Sequence, residues 1–232
     1  MIDIRPYATL GGADHGWLQA KHHFSFADYH DPDRMGWGAL RVWNDDTIAP
    51  QEGFPPHPHR DMEIITYVRK GAITHADNLG NHGRTEAGDV QVMSAGTGIR
   101  HAEFNLEPDV TQIFQIWILP SARGGEPQWG SRPFPKGGRA GRLVALASGF
   151  PEDADALPIR TPARVLGATL KAGERCDYRL GAGRRAYLVP ASGAVEIEGA
   201  VVNARDGAAI SDTETLAIKA LKDSEIVLVD VA

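Results

Sequence analysis

Two short stretches of this chain carry residue types that can do metal chemistry together. One is His57-Pro58-His59 and the other is His101-Ala102-Glu103. A β-strand sends residues i and i+2 to the same face. Each stretch, read as a strand, therefore presents its pair of side chains on one side. Three imidazoles and a carboxylate make a mixed nitrogen and oxygen donor set. Such a set suits one first-row divalent ion such as Fe(II) and leaves one or two coordination positions open. A further carboxylate, Glu63, has the same strand parity as His57 and His59 if no bulge intervenes. It is a candidate ligand, an orienting group or a base, beside the ordinary reading of a salt-bridged carboxylate at a barrel mouth.

A lone His-x-His pair is usually a surface or turn feature, so the elements around the pairs matter. Gly53, Gly71, Gly88, Gly96 and Gly98 punctuate the region at turn-like intervals. Between and beyond them lie strand-like runs such as 39–43, 64–68, 90–93 and 111–118. The last alternates Ile113, Gln115 and Trp117 against Gln112, Phe114, Ile116 and Ile118. Both of its faces are largely apolar, as in a strand buried between two layers. Long helical periodicity is missing. Many short strands with regular glycine turns indicate a sandwich or barrel. Gly96 and Gly98 provide the tight turn that aims the following His-x-Glu inward.

Residues 120–140 are rich in proline and glycine and read as a connector rather than a strand. Strand-like runs resume at 142–147, 164–170, 186–189, 194–197, 208–210 and 225–229. A weak repeat joins the halves: 67–74 is echoed by 188–196, and 86–92 by 204–210. All nine histidines stand at or before position 101. A second barrel would have no imidazole with which to build an equivalent site, so one metal per chain is expected, in the first half.

The spacing Gly53-x3-His57-x-His59-x3-Glu63-x7-Gly71 resembles the first motif of the cupin superfamily, and Gly88 through His101-x3-Asn105 resembles the second. Residues 57–63 and 88–103, with the segments 23–29 and 38–46, narrow the resemblance to the pirin family, in its bacterial quercetin 2,3-dioxygenase-like branch. The match is specific over about the first half of the chain. It implies an all-β bicupin: two tandem jelly-roll-like β-barrels packed face to face, with a metal-binding barrel over 1–125 and a connector plus metal-free barrel over 126–232. It also implies His57, His59, His101 and Glu103 as ligands. Most cupins instead take their carboxylate from the position of Glu63. The activity implied is oxidative cleavage of a flavonol-type aromatic by O2, with Glu103 or Glu63 taking the proton of the substrate hydroxyl. Alternatives are a non-catalytic, redox-sensing metal protein that regulates a protein partner, and a cupin isomerase with a non-redox metal.

The remaining candidates are more ordinary. His22, His23 and His30 lie among Phe24, Phe26 and Tyr29, read as a strap packed across the barrel or, alternatively, a wall over the site mouth, with Phe24 and Phe26 as candidate contacts for an aromatic substrate. His75 and His82 flank the 77–81 turn, where exposed polar residues are expected. His15 has no partner in sequence. Arg100 is either exposed or a neutraliser of a nearby carboxylate, Asn105 is a turn or strand-end residue, and Cys176 is a small buried residue.

Composition is that of an ordinary globular chain: 232 residues, 42% hydrophobic and 23% charged. The net charge of −6 offers no electrostatic footprint for nucleic acid. A single cysteine excludes an intramolecular disulfide and fits a reducing compartment. The first residues lack the pattern of a secretory signal, and no apolar run has the length of a membrane span. A cytoplasmic location is the expectation.

Overall fold

Glycine turns and β-branched runs divide the chain into short antiparallel strands. The computed structural model describes all 232 residues. Strands hold 56% of them and helix 4%, so the all-β expectation holds. No helix is long and apolar enough to cross a membrane. The chain forms two compact units. One comprises Gly11–Phe134 with Leu157–Thr161, and the other comprises Met1–Leu10, Pro135–Ala156 and Pro162–Ala232.

The histidine-bearing unit is two antiparallel sheets. The seven-stranded sheet runs, in spatial order, Gln128–Arg132, Val90–Ser94, Glu63–Lys70, Thr111–Ile118, Leu40–Ile48, Leu18–His22, Gly11–Asp14. The four-stranded sheet runs Gly53–His59, Ile99–Phe104, Ala72–Asp77, His82–Glu86. Alternation along both sheets builds two apolar clusters in the interior. Leu18, Ala20, Ile48, Val68, Ile73 and Ile113 form one, and Ile64, Met93, Ala95 and Ile99 the other. Burying each such aliphatic side chain contributes about 1.5–3 kcal/mol. The strand Thr111–Ile118 is apolar on both faces, as its sequence indicates. Its Phe114 packs on Trp43 and Tyr67 at ring separations of 5.3 and 6.3 Å, and all three are fully buried.

A polar row crosses the large sheet on its inner face. His22 lies opposite Asn44, Asn44 opposite Gln115, Gln115 opposite Thr66, and Thr66 opposite Gln91. None of the five is more than 8% exposed. Five strands thus each place one hydrogen-bonding side chain at one level of a barrel that is otherwise largely aliphatic.

The second unit repeats the strand succession. Arg185–Ser192 pairs with Gly207–Ile210, and Ala194–Ile197 with Ala200–Asn203. In the first unit Glu63–Lys70 pairs with Val90–Ser94, and Ala72–Asp77 with His82–Glu86, in the same order. The weak sequence repeat is therefore a repeat of topology. The strands matching those that carry the imidazoles are Arg175–Arg179 and Thr215–Ala220, which pair with each other. Cys176, Leu216, Ile218 and Ala220 from them join the hydrophobic core. Burial pushes the Cys176 thiol up to about 11, so it is an inert core residue.

Two segments depart from the sequence expectation. Gln128–Arg132, inside the stretch read as connector, is an edge strand paired with Val90–Ser94. Its five residues include one large apolar side chain, Trp129, so no alternation announces it. Ile2–Arg5 pairs with Gly207–Ile210, in the unit that holds the C-terminal half. A linear division after residue 125 misses both, because the pairing partners lie far away in sequence.

Candidate metal centre

The imidazoles meet because two adjacent strands of the small sheet carry them. Gly53–His59 pairs with Ile99–Phe104, and His57 stands directly opposite His101. The register then shifts, so that Glu103 faces Phe54. The ladder also needs Gly53: a Cβ there would lie 2.3 Å from the Glu103 carbonyl oxygen and 2.6 Å from the Phe104 Cα. At the other end, Gly96 (φ 48°) and Gly98 (φ 139°) form the turn that launches the strand carrying His101 and Glu103.

Donor atoms of His57, His59 and His101 all lie within 4.8 Å of one another. A second group, His75, His101 and Glu103, meets the same limit. His101 belongs to both. Burial, then the neighbouring imidazoles, lower the pKa of His101 to about 3 and of His59 to about 4, so both rings are neutral and able to ligate at neutral pH.

Hydrogen bonds assign the tautomers. His57 Nδ1–H donates to the Pro55 carbonyl at 2.8 Å. The His75 Nε2–H donates to Asp77 Oδ2 at 3.0 Å, which leaves Nδ1 of His75 to accept from His101 Nδ1–H at 3.3 Å. With all three rings neutral, this pattern leaves His57 Nε2 and His101 Nε2 facing each other without a proton, 3.1 Å apart. Two lone pairs at that distance repel unless a cation lies between them. With metal–nitrogen distances of about 2.0–2.1 Å, two adjacent ligands of one ion stand about 3 Å apart. The donor set fits a divalent transition metal.

Glu103 is 2% exposed and is held by the polar row. Thr66 Oγ1 and Gln91 Nε2 donate to its Oε1 at 3.1 and 2.6 Å, and Gln115 Nε2 donates to its Oε2 at 2.8 Å. All three partners are neutral, so a buried carboxylate is oriented by dipoles beside the imidazoles, where a cation would complete its charge balance.

Glu63 is separated from this group. Ile64 and Thr66 point into the barrel, and Glu63 points to the opposite face, where Ser94 Oγ donates to its Oε2 at 2.6 Å. Burial raises its pKa against the hydrogen bonds of Ser94 and the Arg160 backbone. The parity expected from His57 and His59 is broken because Gly53–His59 ends at His59 and a turn with Asp61 at φ 50° precedes the strand beginning at Glu63. Glu63 is thus held by Ser94 on the face of its strand opposite Thr66, which bonds Glu103.

A cavity of about 400 Å³ adjoins the imidazoles. His57, His59 and Glu103 line it, with Phe26, Phe54 and Trp117 among its apolar walls. Phe26 is where the sequence reading puts it. Phe24 is not: it is 0% exposed and belongs to the core. His22 lines the cavity, as the reading of its segment as a wall over the site mouth has it, and so does His15, which has no partner in sequence. Burial lowers the pKa of His22 against its hydrogen bond with Asn44. Asn105 is structural, donating from Nδ2 to the carbonyls of Ile48, Ala49 and Asp109.

These features agree with the comparisons. Residues 4–118 match the Pirin family model and residues 145–231 the Quercetinase C-terminal cupin domain. A pirin-like protein of Caulobacter vibrioides is 72% identical over the full length of both chains. The chain belongs to the pirin family. An Escherichia coli protein named quercetin 2,3-dioxygenase is 41% identical to this pirin, over 99% of this chain and 98% of its own. The crystal structure of the bacterial pirin YhhW from E. coli in complex with nickel(II) superposes with a TM-score of 0.92, at 39% identity and 100% and 99% coverage.

The residues missed in sequence are His75 and Asp77. The 77–81 turn pointed to exposed polar groups, yet His75 is fully buried and stacks on Trp129 at 4.7 Å, 10° from parallel. Burial works to raise the Asp77 pKa, but hydrogen bonds from His75, Asn81 and Leu79 outweigh it and hold the carboxylate low. Asp77 therefore remains an anion that fixes the His75 tautomer, and His75 fixes that of His101. His75→Phe keeps the stack and removes the acceptor for His101. We expect it to weaken metal affinity about 10- to 100-fold, with circular dichroism unchanged. Calorimetric titration of the metal-free protein with nickel(II) measures this, and an unchanged affinity would show that His75 does not orient His101.

Proposed function

We propose that this pirin is a metal-dependent dioxygenase of the quercetin 2,3-dioxygenase type, taking one divalent ion per chain, Fe(II) in the leading assignment, and cleaving a flavonol-type aromatic with O2. The observation that carries the reading is the 3.1 Å approach of His57 Nε2 and His101 Nε2, with His59 beside them, at the edge of an apolar cavity of about 400 Å³. Cavities of this size and character bind small, mostly apolar ligands.

In this reading His57, His59, His101 and Glu103 hold the ion. The ion, when bound, supplies charge stabilisation for an ionised substrate oxygen and a redox couple between substrate and O2. The chain does the rest. Phe26, Phe54 and Trp117 bind the flat rings and exclude water. Glu103 is a labile ligand: its Oε1 takes two hydrogen bonds and its Oε2 one, so the free Oε2 lone pair would serve the ion first and, once the carboxylate lets go of it, take the hydroxyl proton. The polar row keeps this carboxylate from turning away.

Relatives with quercetin dioxygenase names support the substrate class. The test is an oxygen electrode with Fe(II)-loaded protein and a panel of flavonols. Flavonol-dependent oxygen uptake is the expected result. Tight iron binding without uptake would overturn the enzymatic reading in favour of a metal-dependent regulator, and turnover with Zn(II) without O2 would point to a cupin isomerase.

A further inference from the structure

The cavity has a polar group on its wall that the metal chemistry does not use. Asp46 lines it, is 3% exposed, and its Oδ1 has no hydrogen-bond partner. The strand register explains its isolation. Asp46 stands opposite Ala20 on one side and Ile113 on the other, one step along the same face from Asn44. Asn44 is engaged by His22 at 2.9 Å. The strong cation nearby, Arg69, is paired with Asp45, which points to the opposite face of the strand. A second polar group in the same wall, the Trp117 indole N–H, is also buried without an acceptor.

A buried polar atom without a partner costs about 1–3 kcal/mol. An aliphatic residue at position 46 would avoid that cost and would continue the Ala20 and Ile113 row. Burial, then the Asp45 and Glu103 carboxylates, push the Asp46 pKa well above the usual carboxylate range. The carboxyl offers acceptor lone pairs, and a donor as well when it holds a proton. Its match in an apolar cavity is a hydroxyl, which also donates and accepts.

We propose that Asp46 is a specificity residue that anchors a second hydroxyl of the aromatic ligand, away from the hydroxyl placed at His57 and His59. The cavity then selects polyhydroxylated aromatics over those with a single hydroxyl. The inference rests on the flavonol reading above and adds a determinant to it.

Calorimetric binding to the Fe(II)-loaded full chain without oxygen tests it. The probes are quercetin and 3-hydroxyflavone, which keeps the hydroxyl beside the carbonyl and lacks the others. The wild-type protein should prefer quercetin about tenfold, the size of one neutral hydrogen bond. Asp46→Leu should reduce that preference to less than about twofold while raising the thermal midpoint, because the orphaned carboxyl is gone. Asp46→Ala reads the same preference should the leucine variant not fold. A tenfold preference that persists in either variant would overturn the proposal. So would a lower thermal midpoint in Asp46→Leu with both ligands weakened equally, which marks a structural carboxyl. Equal binding of both flavonols by the wild-type protein would sink the Asp46 assignment and leave the flavonol reading standing. Binding of neither would sink both.

Discussion

His101→Ala is expected to abolish stoichiometric metal binding, with a loss of affinity greater than the about 100-fold that removing an orienting neighbour costs. The side chain supplies Nε2, 3.1 Å from Nε2 of His57, and belongs to both donor groups of the site. No other imidazole stands directly opposite His57 in the strand ladder to replace it. Glu103→Gln should also weaken retention, for two reasons. It removes the anionic oxygen, and it sets an amide N–H₂ against the side-chain amide N–H of Gln91 or Gln115, both of which donate to the carboxylate now. Glu63→Gln serves as the control and should keep the metal, since Glu63 faces Ser94 on the other side of its strand. Metal content by elemental analysis of the three variants decides the matter. Full loading of His101→Ala, or loss of metal from Glu63→Gln with retention in Glu103→Gln, would refute this ligand assignment.

Arg69→Met should destabilise the fold by about 3–5 kcal/mol. Arg69 reaches across Phe114 to Asp45, its guanidinium 4.7 Å from the ring centre. The three residues come from neighbouring strands, Glu63–Lys70, Thr111–Ile118 and Leu40–Ile48. On the inner face those same strands carry Thr66, Gln115 and Asp46. The ion pair on one side of the sheet therefore braces the row that holds Glu103 on the other. Its side chains are 7% and 0% exposed, so removing Arg69 takes the guanidinium away from a fully buried carboxylate. Urea unfolding of the metal-free protein measures the loss. Arg69→Met combined with Asp45→Leu should recover most of it, because the cost is that of a buried charge without its guanidinium rather than of the missing pair. Additive losses in the double variant would show that the pair is not coupled.

Local chemistry in the sequence was enough for the donor pairs. Each pair sits at i and i+2 in one strand, so a period-two rule brings its members to one face without knowledge of the rest of the chain. The confinement of histidine to positions up to 101 likewise placed the imidazole-bearing barrel in the first half, and the matching strands of the other unit carry Cys176, Leu216 and Ile218 in its core. The glycine turns marked most strand ends. Glu63 shows where such rules stop. Its parity with His59 depended on an unbroken strand, and a turn with Asp61 at positive φ flipped the face. Gln128–Arg132 and Ile2–Arg5 were illegible as members of their sheets because pairing with distant strands, not their own pattern, makes them strands.

By itself the sequence determined the residue types of the site, their grouping in pairs, the all-β class and the tandem repeat. Only the tertiary structure decided which nitrogens face one another, because tautomers follow from contacts such as His57 to Pro55 and His75 to Asp77. Only it revealed the polar row His22, Asn44, Gln115, Thr66 and Gln91, whose members come from five strands and share a level through register alone. And only it isolated Asp46, since a carboxylate beside Asp45 in a strand looks in sequence like any exposed charged pair. Alternation sends one of the two to Arg69 and the other into an apolar wall, and the sheet topology determines what stands opposite each.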